Sequence, residues 1–497
     1  LSAEDRTAIR DASRRAQLKD LQLAAGNFGS KQYAENLMSM ASKYKDSSMG
    51  ATALYEAFTS PRSKRDPELY DVGEALLEKY SDSTYSKEVV SSMAQTALMT
   101  ADFERAARYL ARFAERYPKE KESIEWKKSA AQIYEWLGDY KRSKNIAMTL
   151  GDASAVARAD QMLADWRQLE VSGARLSGAA GDYLVGLALW RQGRQAEALP
   201  KLKAVSPTGD IDQSAHARFL LAQRALEAFR SIQMRDASDQ GALLGKIKSF
   251  QALSQELNSI VKVGAGRWTI ASLYLLGQAN FELGRFIGES PLPKGLSQQE
   301  VKIYRTELDK QAKQYRDAAA ATFNQCLETA ERFEVFTRYV QGCRDRGRTI
   351  VKDEADAVVA SNQQSFKPPS TARSIRLKLY DKPRDVGVLH QLAETYIADR
   401  QYWVATAIYN RVLEIDDRNS AAVAGIGLCR WYLNDLDRAA EQFKRAMKLN
   451  SSEPVAVWNL VGLYNEFGFK GKLKQLANKR SPGTKPKLLH PMAKKAI

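Results

Sequence analysis

A repeat of 34 residues near the C-terminal end of the sequence constrains the fold more than any other feature. Seven positions between residues 389 and 412 recur 34 residues later, and the first half of the pattern then returns once more. The three sets are Leu389, Leu392, Ala393, Tyr396, Ala405, Tyr409 and Val412; Val423, Ile426, Gly427, Arg430, Ala439, Phe443 and Ala446; and Val457, Leu460, Val461 and Tyr464. A fixed period of this size, with two apolar helical faces per period, predicts an array of helical hairpins.

The residues of this repeat resemble those of the tetratricopeptide repeat (TPR) family. Small residues stand where two helices must approach, and aromatic residues stand between them, although Arg430 replaces the usual tyrosine. The resemblance implies an all-α fold, a TPR-type α-solenoid in which antiparallel hairpins form a superhelix. Successive hairpins stack because one hairpin cannot bury its apolar face alone. The resemblance also implies a concave groove that receives a peptide or helix of a partner protein.

Helical spacing places three sets of residues on the predicted groove, since positions three and four apart share one face. The candidate partner-binding residues are His390, Glu394, Ile397, Ala424, Leu428, Trp431, Trp458, Gly462 and Asn465. In an alternative interpretation, Trp431 and Trp458 belong to the core or are covered by the tail. The carboxylate clamp of some family members needs Lys and Asn on this face, where Ala424 and Trp458 stand instead. An apolar or helical ligand is therefore expected rather than a free carboxylate.

Similar patterns continue upstream. Tyrosines at positions 44, 80 and 117 each precede a turn, and the first two turns contain Ser and Asp residues that can cap the next helix. A capping box at Ser297–Glu300 and apolar positions up to Leu327 predict a single helix about twice as long as an ordinary hairpin arm. The junctions and the long arm look like those of periplasmic or outer-membrane-associated TPR proteins of gliding and predatory bacteria. Those proteins are often lipoproteins that accompany envelope motors.

Four parts are predicted along the chain. Residues 1–360 form a divergent TPR-like solenoid with an extended hairpin near 297–345, and residues 361–384 form a linker. Residues 385–469 form an array of about three repeats, and residues 470–497 form a basic tail. The linker is assigned from its composition, Ser361–Ser365 followed by Lys367–Pro369.

The net charge of +16 is concentrated in the predicted tail, which contains no Asp or Glu. Its cationic residues are Lys470, Lys472, Lys474, Lys479, Arg480, Lys485, Lys487, Lys494 and Lys495. One interpretation is a solvated, flexible end. The other is a site for a polyanion, such as nucleic acid, anionic lipid headgroups or an envelope polymer. The tail lacks aromatic residues after Phe469, which argues against stacking on single-stranded bases.

The sequence lacks a recognisable catalytic or cofactor-binding motif. The closest approach to a phosphate loop, Gly241–Ile247, has three residues between its glycines instead of four, and it lacks the Ser or Thr that holds magnesium. Cys326, Cys343 and Cys429 show no metal-binding spacing and are too few for a disulfide framework, so they are predicted to fill the core. We therefore expect no enzymatic activity, cofactor, metal site or small-molecule substrate.

These observations predict a non-catalytic scaffold or adaptor for protein–protein interaction, in a bacterial cell-envelope complex of the motility or motor type. The alternative is a TPR protein that binds nucleic acid or another polyanion through its basic tail. The junctions and the long arm favour a periplasmic or outer-membrane-associated location, and a cytoplasmic location is the alternative. The sequence begins with Leu1 rather than Met, so we expect a processed or shortened chain.

Overall fold

The computed structural model of the chain is all-helical. It describes residues 31–43, 48–60, 68–205, 210–348, 368–479 and 485–495, together with part of the first thirty residues. Within these ranges α-helices are joined by turns, without a strand. No helix in the described ranges is long and apolar enough to cross a membrane. The predicted junction at Tyr44, the linker residues Ser361–Ser365 and Lys367, and Arg480 lie outside the described residues.

The helices follow one another closely along the sequence. They are α1 (Lys31–Lys43), α2 (Ser48–Thr59), α3 (Glu68–Lys79), α4 (Ser86–Met99), α5 (Phe103–Arg116), α6 (Ser123–Trp136), α7 (Tyr140–Leu150), α8 (Ala153–Met162), α9 (Trp166–Gly173), α10 (Gly178–Arg191), α11 (Gln195–Ala204), α12 (Ile211–Ser231), α13 (Gln240–Val263), α14 (Gly266–Gly288), α15 (Gln298–Phe333), α16 (Arg338–Arg344), α17 (Ala372–Asp381), α18 (Val386–Ala398), α19 (Tyr402–Ile415), α20 (Ser420–Tyr432), α21 (Leu436–Leu449), α22 (Pro454–Phe467), α23 (Lys470–Lys479) and α24 (Pro491–Lys495).

The helices form two compact units, and each unit is made of two stretches of chain. The first unit contains Leu1–Leu150 and Gln364–Ala422, and the second contains Gly151–Gln363 and Val423–Ile497. These limits differ from the predicted division at residues 361, 385 and 470, which stays a prediction. The described part of the predicted linker contains α17, whose Leu379 is fully buried.

Amphipathic helices build the hairpins of the first unit. In α5, Ala106, Leu110 and Phe113 form one buried stripe. The carboxylate of Asp102 caps this helix by accepting a hydrogen bond from the backbone N–H of Arg105. A helix with a single apolar stripe is stabilised when a neighbour covers that stripe, and α5 packs against both α4 and α6.

The burial of the repeat positions confirms the TPR-type fold. Leu389, Leu392, Ala393, Ala405 and Val412 of the first copy are fully buried, as are Val423, Ala439, Phe443 and Ala446 of the second. In the second unit, a Cβ atom on Gly427 would lie 2.8 Å from the ring of Phe443, so only glycine permits this approach of α20 to α21. Arg430, the departure from the family pattern, lies 3.3 Å from the carboxylate of Asp435 at the turn between these two helices.

Two upstream predictions are also confirmed. Tyr80 and Tyr117 directly follow the last residues of α3 and α5. The long arm is α15, a helix of 36 residues whose capping box is formed by Ser297 and Glu300. Its C-terminal half packs against α14, where a Cβ atom on Gly277 would lie 2.5 Å from the ring of Phe323.

The prediction that all three cysteines merely fill the core was wrong for two of them. Cys326 of α15 and Cys343 of α16 form a disulfide across 17 residues of sequence. Both sulfur atoms are buried within the second unit, whereas Cys429 is a buried free cysteine. The turn after α15 folds α16 back onto it, and this return brings the two cysteines together. The sequence spacing of the pair does not reveal that return.

Loss of this disulfide should weaken the second unit. Cys343→Ser is expected to lower the free energy of unfolding by about 3 kcal/mol, since a closed loop of about 15 residues removes that much free energy from the unfolded chain. Denaturant unfolding with and without reductant measures the effect, and Cys326→Ser/Cys343→Ser is the control that should not respond to reductant. Three reactive thiols in the denatured, unreduced protein would contradict the disulfide.

Candidate functional site

The last described stretch of the chain, residues 485–495, is here termed the C-terminal segment. It ends in the short helix α24, which packs against α22 within the second unit. Leu489 and Ala493, four residues apart, are 4% and 0% exposed. The segment therefore inserts one apolar and one small side chain into a surface formed by other helices. We call this surface the docking groove and define it by Trp431, Tyr432, Asn459 and Gly462.

One buried amide holds the backbone of the segment. The side chain of Asn459 is fully buried, and its Nδ2 donates to the carbonyl of Leu488 at 3.2 Å. Its Oδ1 accepts the backbone N–H of His490 at 2.8 Å. The hydroxyl of Tyr432 lies 3.5 Å from the carbonyl of Leu489. Because these groups bond main-chain atoms, they hold the backbone of the segment independently of its side chains.

A glycine in α22 allows the segment to approach this closely. A Cβ atom on Gly462 would lie 2.4 Å from both Cα and Cβ of Ala493. Real Cβ contacts are not that short, so the backbones of α22 and α24 touch only because position 462 has no side chain and position 493 a small one. The same need selects glycine at the hairpin contacts of the fold.

Trp431 provides a flat apolar face for His490. The two rings stack with centroids 4.0 Å apart and an interplanar angle of 12°, and Tyr432 adds a tilted contact at 4.7 Å. Burial lowers the pKa of His490 from 6.5 to about 4. The backbone N–H of Met492 donates to Nδ1 of His490 at 3.3 Å, which fits a neutral ring protonated on Nε2. Stacking and burial thus favour a neutral histidine in the docked segment.

The two predicted groove tryptophans differ in how far they are buried. Trp431 is only 4% exposed because the C-terminal segment covers it, which is the alternative that the sequence left open. Ala424 and Leu428 are core residues, 0% and 1% exposed. Trp458 is half-buried, and its ring nitrogen has no hydrogen-bond partner among the described residues. Gly462 contacts the segment, whereas Asn465 is exposed.

The three predicted groove residues of the first unit are His390, Glu394 and Ile397. His390 places Nε2 3.0 Å from Oδ1 of Asn419, the atom that also caps α20 by accepting from the N–H of Ala422. Ile397 is buried and Glu394 is half-buried. Their assignment to a partner-binding surface stays a prediction.

The described part of the predicted basic tail is folded onto the second unit. Residues 470–479 form α23, and the backbone N–H of Lys472 donates to Glu331 at 3.0 Å. Nζ of Lys472 lies 2.8 Å from Glu334, which also pairs with Lys444. Burial acts to raise the pKa of Glu334, but hydrogen bonds from the two lysines lower it overall. Lys472 is therefore part of an internal ion-pair network.

The other described tail cations divide into two groups. Lys470, Lys474, Lys485, Lys487 and Lys494 are exposed. Lys479 and Lys495 lie at the ends of α23 and α24.

Among the described residues there is no group of three or more His, Cys, Asp or Glu that could hold a metal ion.

Docking of the C-terminal segment should depend on pH through His490. The free segment carries a histidine with a pKa near the usual 6.5 and the docked one a pKa of about 4. Docking is therefore strongest above pH ~6.5 and weakens as the pH falls towards ~4. Amide hydrogen exchange of residues 488–490, 492 and 493 should speed up at pH 5 beyond the intrinsic change in exchange rate. His490→Phe keeps an aromatic ring on Trp431 and should remove this extra acceleration; if it does not, His490 is not the titrating group.

Helical repeat proteins are among the solved structures that resemble this chain. A circular tandem repeat protein is 15% identical, with 94% of each chain covered and a TM-score of 0.21. Yeast Tom70 is 13% identical over 79% of this chain and 94% of its own, with a TM-score of 0.21. The Cut9–Hcn1 structure is 14% identical over 82% and 95%, with a TM-score of 0.20. No family model and no curated protein match the sequence. The TPR-type fold thus rests on the repeat and packing of the chain itself, and likenesses at such scores assign neither partner nor activity.

Proposed function

We propose that this protein is a non-catalytic scaffold for protein–protein interaction, and that its docking groove binds a short peptide segment of a partner. The observation that carries the proposal is the docked C-terminal segment. The groove already supplies what peptide recognition requires: an amide that bonds the main chain, an aromatic face, and a glycine against which a small residue packs. The chain's own segment therefore acts as a model of the ligand.

The chemistry of the segment defines the partner that would fit. A competing segment needs an apolar residue, a planar ring or similar flat group next to it, and a small residue four positions after the apolar one, like Leu489, His490 and Ala493. Its first half must be non-helical, as residues 485–490 are, so that Asn459 can bond the backbone on both sides, and its second half must be helical. The tethered segment competes at an effective concentration of the order of millimolar, so a partner must displace it.

The groove can be tested in trans with a peptide of residues 485–495. In the full chain, Ala493→Glu places a carboxylate against the backbone of α22 and should release the tethered segment. A fluorescently labelled peptide is then expected to bind the Ala493→Glu protein with at least tenfold higher affinity than the wild-type protein. Fluorescence polarisation up to millimolar protein measures this difference.

Two further variants make the result decisive. Met492 is partly exposed beside Ala493, so Met492→Glu is a matched control that should leave the segment docked and the groove closed to the peptide. Gly462→Leu combined with Ala493→Glu should lose peptide binding while circular dichroism shows that the helices remain. An Ala493→Glu protein with wild-type helicity that fails to bind the peptide would show that the segment is only part of the fold.

We further propose that the scaffold acts in a bacterial cell-envelope complex of the motility or motor type, in the periplasm or at the outer membrane. Two features support this location. Disulfides persist mainly in oxidising compartments, and the Cys326–Cys343 pair fits such a compartment. The long helix α15 matches the extended arm expected from periplasmic TPR proteins. Recovery of the chain from cells with the two thiols reduced would favour the cytoplasmic alternative.

Binding of a polyanion is a second candidate function, supported by the five exposed lysines of the tail. These lysines lie in a stretch without acidic residues, so their charges are not neutralised by neighbours in sequence. Replacing Lys474, Lys485 and Lys487 by Gln should weaken binding to double-stranded DNA and lower the salt dependence by about 0.9 in slope for each lost phosphate contact. Lys472→Gln is the contrasting variant, because its side chain is occupied by Glu334. Equal affinity of the triple variant and the wild-type protein would exclude the tail as the binding site.

A further inference from the structure

The first unit contains a cavity of about 430 Å³ beside α5 and α17, here termed the arginine pocket. Arg105 and Arg108 line it from α5, and Arg373 and Arg376 line it from α17. The acidic residues in its wall are Asp102 and Glu104. Four guanidinium groups thus face two carboxylates in one concave site, and none of these residues belongs to the docking groove.

Arg376 is the innermost of the four cations. It is 6% exposed, and one of its Nη atoms lies 3.0 Å from the carboxylate of Asp102. The other Nη donates to the hydroxyl of Tyr396. Its Nε–H is buried and has no hydrogen-bond partner in the described part of the chain. Buried N–H groups are normally paired, so Arg376, which lines the cavity, retains donor capacity beyond its two protein partners.

The carboxylates around the pocket are shared between cations. Asp102 faces Arg105 at 3.4 Å as well as Arg376, so one negative charge serves two positive ones. Glu74 lies 3.7 Å from Arg108 and is also bonded by Arg112. An anionic ligand would therefore meet guanidinium groups that the carboxylates of the protein neutralise only in part.

The two remaining charged groups of the wall add to this excess. Glu104 lies 3.5 Å from Arg142, a cation outside the pocket wall, so part of its charge is directed away from the arginines. Arg373 is exposed and has no acidic partner within salt-bridge distance among the described residues. Its side chain is thus available at the rim of the pocket.

We infer that the arginine pocket binds a phosphoryl group. A phosphoryl group carries close to two negative charges and presents three or four acceptor oxygens in different directions, whereas a carboxylate carries one charge and two oxygens in a plane. Guanidinium groups on two helices suit the first geometry, because each can donate to a different oxygen. The cavity also exceeds what a lone phosphate fills, since pockets of about 300–1,000 Å³ hold small organic molecules. A phosphate monoester of a small molecule is the ligand class that fits.

The inference can be tested on the full-length protein with three probes: inorganic phosphate, O-phosphoserine and acetate. Isothermal titration calorimetry at low salt is expected to detect O-phosphoserine and phosphate but not acetate. Tighter binding of O-phosphoserine identifies an ester ligand, and tighter binding of inorganic phosphate identifies the free ion. The inference would be overturned if acetate bound as tightly as phosphate. It would also be overturned if neither phosphate probe bound with a dissociation constant about tenfold below the ~millimolar values of weak ligands.

Two arginine variants locate the site. Arg373→Gln removes the exposed cation at the rim without disturbing a buried pair, and it is expected to weaken phosphate binding about tenfold. Arg384→Gln removes an exposed arginine of the same unit that does not line the pocket, and it should leave the affinity unchanged. Equal weakening by both variants would mean that general surface charge attracts the anion, and the pocket would then not be its site.

Discussion

The close approach of helices at small residues is the contact on which the rest of this structure depends. Within the second unit, Gly277 faces the ring of Phe323 and Gly427 faces the ring of Phe443, at distances that exclude any Cβ atom. Each contact sets the separation of one helix pair and buries an aromatic ring. Stability in such an array comes from neighbouring pairs rather than from one central core, so each of these glycines fixes the geometry of a contact on which its helix pair depends.

The docking groove uses the same contact once more. Gly462 lies directly against Ala493, as Gly427 lies against the ring of Phe443. The element that packs on Gly462 is the five-residue helix α24. A helix that short is not stable alone, so its order derives from the groove, from Asn459 and from the Trp431 ring. This is the physical reason for the proposal that the groove binds peptides: it stabilises a segment that has little structure of its own.

The sequence predicted what depends on local periodicity and missed what depends on which surfaces meet. The sequence was sufficient to recognise the repeat around Leu389 and the capping box at Ser297. Helix faces and caps both appear as sequence spacings of three or four residues. The pairing of Cys326 with Cys343 depends on how one turn folds back, which no spacing encodes. Leu489 and Ala493 give only two apolar positions in a lysine-rich stretch, too few to establish a helical period. The sequence alone therefore could not decide whether the tail covers Trp431 or leaves it exposed.

Two buried cations, Lys246 and Arg376, differ in how completely their donors are paired. Lys246 is fully buried, and its three donors meet the carbonyls of Phe229 and Ile232 at 2.7 and 3.1 Å and the carboxylate of Glu282 at 3.5 Å. Its hydrogen-bonding capacity is used up, so it closes the end of α12. Arg376 has five N–H donors and retains an unpaired Nε–H beside a cavity. Arg224 and Arg411 also have a buried nitrogen without a partner among the described residues, so an unpaired donor alone does not mark a binding site. The position of Arg376 among four arginines in one cavity is what supports the proposed phosphoryl site.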